Sequence, residues 1–159
     1  MDADLLAWRS ESELAATDPV VMNLLVAKGI PALAGLEVPP YQRIVDEWAR
    51  EIRRRLPRLE RHFHRTPGDW DNDIDLFRLG VVCEFVDKDL GVRYKEEQKF
   101  VPKWTYADPG DLFLNGVIDT RRGTCGNMAA LHLALGWRLG WPVSLAVVGW
   151  HVILRFDNG

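Results

Sequence analysis

Hydrophobic positions recur at helical spacing up to about residue 91, and β-type runs appear only at the C-terminal end. Residues 18–35, DPVVMNLLVAKGIPALAG, predict a short apolar helix with Asp18 as N-cap, Pro19 at the first helical position and Gly29 as the stop. Pro39 and Pro40 punctuate the chain before YQRIVDEWAREIRRRLPRLERHF. There Ile44, Trp48, Ile52 and Leu56 recur with Arg and Glu opposite, which predicts an amphipathic helix broken or kinked near Pro57. After the turn-rich TPGDWDND, the segment IDLFRLGVVCEFVDKDLGVRY is apolar around its circumference. It predicts a buried helix ending near Gly91, with Cys83 in the core. Residues 95–109 show neither period and hold two prolines, as an irregular surface connection would.

The last third has a different texture. A helix is expected from about Thr124 to Leu139, with Gly140 as its stop and Pro142 beyond. PVSLAVV and WHVILRF then read as two strands, the second alternating and ending in Asp157-Asn158-Gly159. Helices first and strands last predict an α+β fold rather than a βαβ series. Without an internal repeat or linker, residues 1–159 are expected to form one domain with a helical N-terminal part over 18–95.

Composition narrows the function. The 159 residues are 47% hydrophobic and 27% charged, which excludes disordered, collagenous and coiled-coil chains. Twenty Lys and Arg against 23 Asp and Glu leave a formal charge of −3, with no broad cationic footprint, so no nucleic-acid partner is expected. The N-terminal residues have neither a cationic n-region nor an apolar h-region, and no run approaches a spanning length. The expectation is a cytoplasmic protein without a membrane partner. Cys83 and Cys125 are the only cysteines, too few for a disulfide framework or a Cys-rich zinc site, and neither metal nor cofactor is expected.

Cys125 lies in RRGTCGNMAALHLAL, where a glycine turn feeds directly into the predicted helix. Its sulfur falls in the first turn, where the helix dipole favours a thiolate and Arg121 and Arg122 add positive potential. The plainer reading of Cys125 is a small hydrophobe at a helix start. His151 begins the last strand, a place where histidine is often a packed core residue. A Cys at a helix start followed by a His on a later strand is nevertheless the arrangement in which a thiolate–imidazolium pair forms. His132 is seven residues beyond Cys125, about 10 Å along the helix, and is expected in the core. His62 and His64 belong to a charged helix tail and are expected on a solvated face rather than at a metal.

R-G-T-C-G-N-M, followed by A-L-G-W-R-L-G-W-P-V and H-V-I-L-R-F-D-N-G, resembles the transglutaminase-like superfamily of papain-related folds. With DPVVMNLLVAKGIPALAG, DLGVRY and DLFLNGVIDTRRGTC upstream, the resemblance to bacterial transglutaminase-like proteins extends over residues 18–159. It implies a helical N-terminal part followed by a papain/transglutaminase-like core, with the nucleophile helix packed on a short antiparallel sheet and 110–159 as a partial catalytic core. In that family the triad is Cys, His and Asp or a near equivalent. The first two carry over to Cys125 and His151 and the third does not, while Gly126 stands where many relatives have an aromatic.

The implied activity is cysteine-dependent acyl transfer on a peptide, a glutamine side chain or a small amide. Cys125 would attack the carbonyl and His151 would protonate the leaving amine, with hydrolysis expected over transamidation because water needs no second binding site. The Cys125 N–H is the natural oxyanion donor, and Asn115, Trp104 and Tyr106 are candidate side-chain partners. The alternative is a non-catalytic papain-fold binding module. A third reading, docking on an acidic surface through Arg50, Arg53, Arg54, Arg58 and Arg61, is opposed by Asp46, Glu47, Glu51 and Glu60, which make a solvated mixed face. Asn158-Gly159 predicts a tight turn into a further strand, on which a group near position 166 would face His151. Asp157, about 20 Å along the strand from His151, cannot take that role. The constellation is therefore expected to be incomplete here, either because the sequence ends early, which is the reading preferred, or because the chain is an inactive remnant with an unpaired edge strand inviting association.

Overall fold

The computed structural model describes residues 10–98, 108–149 and 151–157. Its helices are α1 (Glu11–Ala15), α2 (Pro19–Ala27), α3 (Val38–Phe63), α4 (Ile74–Glu84), α5 (Leu114–Thr120) and α6 (Cys125–Leu139). Two strand pairs accompany them: β1 (Arg93–Tyr94) with β2 (Arg122–Gly123), parallel, and β3 (Val143–Val148) with β4 (His151–Phe156), antiparallel. The fold is α+β, with a small antiparallel sheet near the C-terminal end. No helix among the described residues is long and apolar enough to cross a membrane.

Local chemistry explains most starts and stops. The Asp18 carboxylate accepts the Val20 N–H at 2.8 Å to cap α2, with Pro19 at the first position. Pro39 and Pro40 do not precede α3 but sit in its first turn, where the N–H that proline lacks has no intrahelical acceptor anyway. The expected break at Pro57 is also absent, and α3 runs unbroken for 26 residues. Pro57 is on the solvent side, while Val45, Ala49, Ile52 and Leu56 before it and Phe63 after it are buried. Packing on both flanks outweighs the one lost backbone bond.

The segment beginning at Asp73 differs more from expectation. Asp73 caps α4 through the Asp75 and Leu76 N–H groups, but only Phe77 and Val82 of α4 are buried, and Cys83 is exposed rather than in the core. One face of α4 is covered by neighbouring elements, and the other carries Arg78, which pairs with Glu60 and Asp75. The chain then widens into a π-helical turn over Phe85–Asp89 that buries Phe85 and Val86. The parallel β1–β2 pair and helices α1 and α5 were absent from the sequence expectation, because five to seven residues or two-residue bridges carry no readable period.

Helix α6 is the centre of the core. Leu131, Ala134 and Leu135 are fully buried in one cluster with Val20 and Leu24 of α2, Val45 and Ile52 of α3, and Leu114 and Val117 of α5. Leu131→Ala and Leu135→Ala are each expected to cost about 2–5 kcal/mol in urea unfolding, since each leaves a cavity in closely packed surroundings. The Arg138 guanidinium, near the end of α6, donates to both Asp18 carboxylate oxygens at 2.8 and 3.0 Å and to Asp46 at 2.5 Å, tying α6 to α2 and α3.

The sheet packs on the same helix. Its register pairs Val148 with His151 and Val143 with Phe156, and Gly149, directly after β3, has the positive φ of 59° that hairpin turns favour. Trp141 and Phe156 meet with ring centroids 5.9 Å apart. The predicted turn at Asn158-Gly159 falls outside the described residues.

Candidate functional site

The start of α6 is held by a latch of hydrogen bonds. Asn127, fully buried, accepts the Thr124 N–H on its Oδ1 at 2.8 Å and donates from Nδ2 to the Gly110 carbonyl at 2.8 Å. The Thr124 hydroxyl donates to the Asp111 carbonyl at 2.7 Å, and the Asp111 carboxylate is paired with Lys95. Lys95 in turn gives its backbone N–H to the Gly123 carbonyl at 2.8 Å. Four segments therefore meet at one helix terminus: residues 95 and 108–112, strand β2 and the first turn of α6. The first residue of that helix is Cys125.

Cys125 opens a stripe. Positions 125, 128, 129 and 132 share one helix face at i, i+3, i+4 and i+7, and all four line a groove of about 320 Å³. Leu79 and Cys83 of α4, Tyr94 of β1 and Val152, Ile153 and Leu154 of β4 form the walls. No Asp, Glu, Lys or Arg is among the lining residues. A larger concavity of about 680 Å³ beside α2 and the start of α3 contains no cysteine or histidine, so the groove with chemistry is the one at Cys125.

The two thiols in this groove differ. Cys83 is open to solvent at its rim, yet the apolar walls beside it push its thiol above the usual range. Cys125 is half-buried and stands where the first N–H groups of α6 have no intrahelical acceptor. Arg121 and Arg122 have partners elsewhere. The Arg121 guanidinium lies 4.7 Å over the Trp48 ring, and Arg122 reaches the Glu97 carboxylate at 3.0 Å.

The histidines are arranged differently from the sequence expectation. His132 lines the groove rather than sitting in the core. Its Nδ1 is 2.7 Å from the Met128 carbonyl, and burial holds the ring below its usual pKa against the opposing pull of that hydrogen bond. A heptad spacing from Cys125 was the available signal, since it puts the ring on the same helix face as that cysteine. His151 opens β4 opposite Val148 and is exposed. The strand alternates so that Val152, Leu154 and Phe156 turn inward and His151, Ile153 and Arg155 lie more open. His151 thus stands one residue from the groove wall and is not among the residues lining the groove.

The remaining candidates lie elsewhere. Asn115 is 8% exposed within α5 and is not part of the groove lining, while Trp104 and Tyr106 fall outside the described residues. Asp157 is bound to Arg155, with Nε to Oδ1 at 2.6 Å. His62 and His64 are exposed, and no group of three or more His, Cys, Asp or Glu among the described residues is placed to hold a metal ion.

A family model of the transglutaminase-like superfamily matches residues 40–159. No curated protein and no solved structure matches the chain.

Proposed function

The chain belongs to the transglutaminase-like superfamily, which points to cysteine-dependent acyl-transfer or protease-like chemistry in general, and from that premise we propose that it hydrolyses an amide through Cys125. The observation that carries this reading is the position of Cys125, first residue of the central helix and part of the lining of a surface groove. The thiolate attacks the amide carbonyl, forming the S–C bond. Collapse of the tetrahedral intermediate breaks the C–N bond, and an imidazolium delivers the proton the leaving amine needs. Water then attacks the thioester, releasing the acid and restoring the thiol. The Cys125 N–H, unclaimed within the helix, serves as an oxyanion donor. His151 is the proposed proton carrier, because it begins the strand whose next three residues wall the groove. Hydrolysis is favoured over transamidation because the groove needs to admit only water as the acceptor.

One observation favours a second reading, a non-catalytic module that binds a segment in the same groove: His151 is turned to the open side of β4. Limited alkylation separates the two. Iodoacetamide at pH 6.5 is expected to modify Cys125 well before Cys83, whose thiol is pushed up by the desolvating apolar walls beside it. Peptide mass spectrometry reads the order of labelling. Slow labelling of Cys125, or Cys83 labelled first, would favour the binding module.

A further inference from the structure

Seven arginines and two glutamates fall between residues 50 and 65, a local excess of positive charge in a chain whose formal charge is −3. The structure sorts them into two groups. Arg54 and Arg55 pair with Glu51, Arg55 also reaches Asp89, and Arg53 donates to the Arg138 carbonyl. Glu60, the carboxylate within the last turns of α3, is committed to Arg78 at 2.9 Å. Arg50 stands two turns back along α3, and left over at the end of the helix are Arg58, Arg61 and His62, at i, i+3 and i+4 on one helix face, and Arg65 just past the C-cap His64. All four are exposed, and none has an ion pair or hydrogen bond from its side chain among the described residues. Together with Leu59 they line a concavity of about 450 Å³.

Folding explains this cluster poorly. The carbonyl end of a helix attracts cations by only about 0.3–1 kcal/mol each, and neighbouring like charges on one face repel by a comparable amount. A ligand explains it better. A guanidinium presents paired N–H donors that match two phosphate oxygens at once, and an imidazole adds a ring N–H. The first and last of the four residues are seven steps apart, about 10 Å at the rise of a helix, which suits a short run of linked phosphates better than an extended nucleic-acid backbone. That short reach agrees with the absence of a broad cationic footprint.

We propose that the concavity at the C-terminal end of α3 binds a compact, soluble, multiply charged phosphate-bearing anion through Arg58, Arg61, His62 and Arg65. The site shares no residue with the groove at Cys125, so it stands or falls independently of the chemistry proposed there.

Isothermal titration of the whole chain with inorganic tripolyphosphate tests the assignment. Saturable binding that weakens with added salt is expected, with affinity reduced at least about tenfold in Arg58→Ala/Arg61→Ala. Arg43→Ala/Arg50→Ala, which removes the same charge from exposed positions of the same helix outside the concavity, is expected to leave affinity unchanged. Equal losses in the two double variants, or no saturable binding, would overturn the proposal. Tighter binding to a single-stranded polynucleotide, or preferential binding to vesicles carrying a phosphorylated lipid, would overturn it in favour of an extended surface. Arg65→Ala lies beyond the end of α3 and is expected to weaken binding about threefold without changing the unfolding midpoint. That single variant keeps the site testable should a double variant fold poorly.

Discussion

Cys125→Ala is expected to reduce amide turnover by about four orders of magnitude while leaving the fold intact, because in the proposed mechanism the Cys125 thiolate forms the acyl intermediate. Cys83 lines the same groove but belongs to a different helix, and its thiol is held protonated by its surroundings. The His132 ring is bound to the Met128 carbonyl two turns from the helix start. Removing the sulfur takes away little packing, since Cys125 is only half-buried, so unfolding free energy is expected to stay within about 1 kcal/mol. Turnover of short peptide amides and of a glutamine-containing peptide, followed by mass spectrometry beside a urea melt, reads both quantities. Retained turnover would remove Cys125 from the mechanism, and a collapsed melt would make it a structural residue.

Gly116→Ala is expected to cost more than about 3 kcal/mol, the upper end of overpacking penalties, and to lower the unfolding midpoint by about 6–12 °C. A Cβ at position 116 would lie 1.9 Å from the Gly110 carbonyl oxygen, a backbone atom that cannot rotate aside. That oxygen accepts the Asn127 amide, and the next residue supplies the carbonyl for the Thr124 hydroxyl. A methyl group there presses the loop away from the latch at the start of α6. Two buried donors, the Asn127 amide and the Thr124 hydroxyl, would then lose their acceptors together. Calorimetry checks the size of the effect. A midpoint shift under about 2 °C would show that the loop yields freely and does not set the position of Cys125.

The elements legible in the sequence were those whose signal is local. Asp18 and Pro19 start a helix wherever they stand, because a carboxylate beside free N–H groups and a residue lacking its own N–H satisfy the same terminus. The start of α6 at Cys125 and its stop at Gly140 were readable for the same reason, as were the two C-terminal strands. The order of helices before strands was enough for the α+β class. Pro57 marks where local reasoning ended. A proline weakens any helix, but the buried residues on both sides of it come from long-range packing that the local pattern cannot weigh.

The site divides along the same line. Sequence alone determined that a thiol opens a helix and that a histidine opens a later strand, since both follow from neighbours in the chain. Only the tertiary structure decided what faces that thiol. Helix α4 brings Cys83 and Leu79 to the groove, and the face of α6 that begins at Cys125 brings His132. The alternation of β4 turns His151 toward the open side. Arg121 and Arg122 stand four and three residues before Cys125 in sequence, yet Trp48 and Glu97, from distant segments, claim their guanidinium groups. Charge and reactivity of a residue type are written in the chain. Which partner satisfies each donor depends on which segments fold beside it, because hydrogen bonds and desolvation act over a few ångströms of space rather than over residues of sequence.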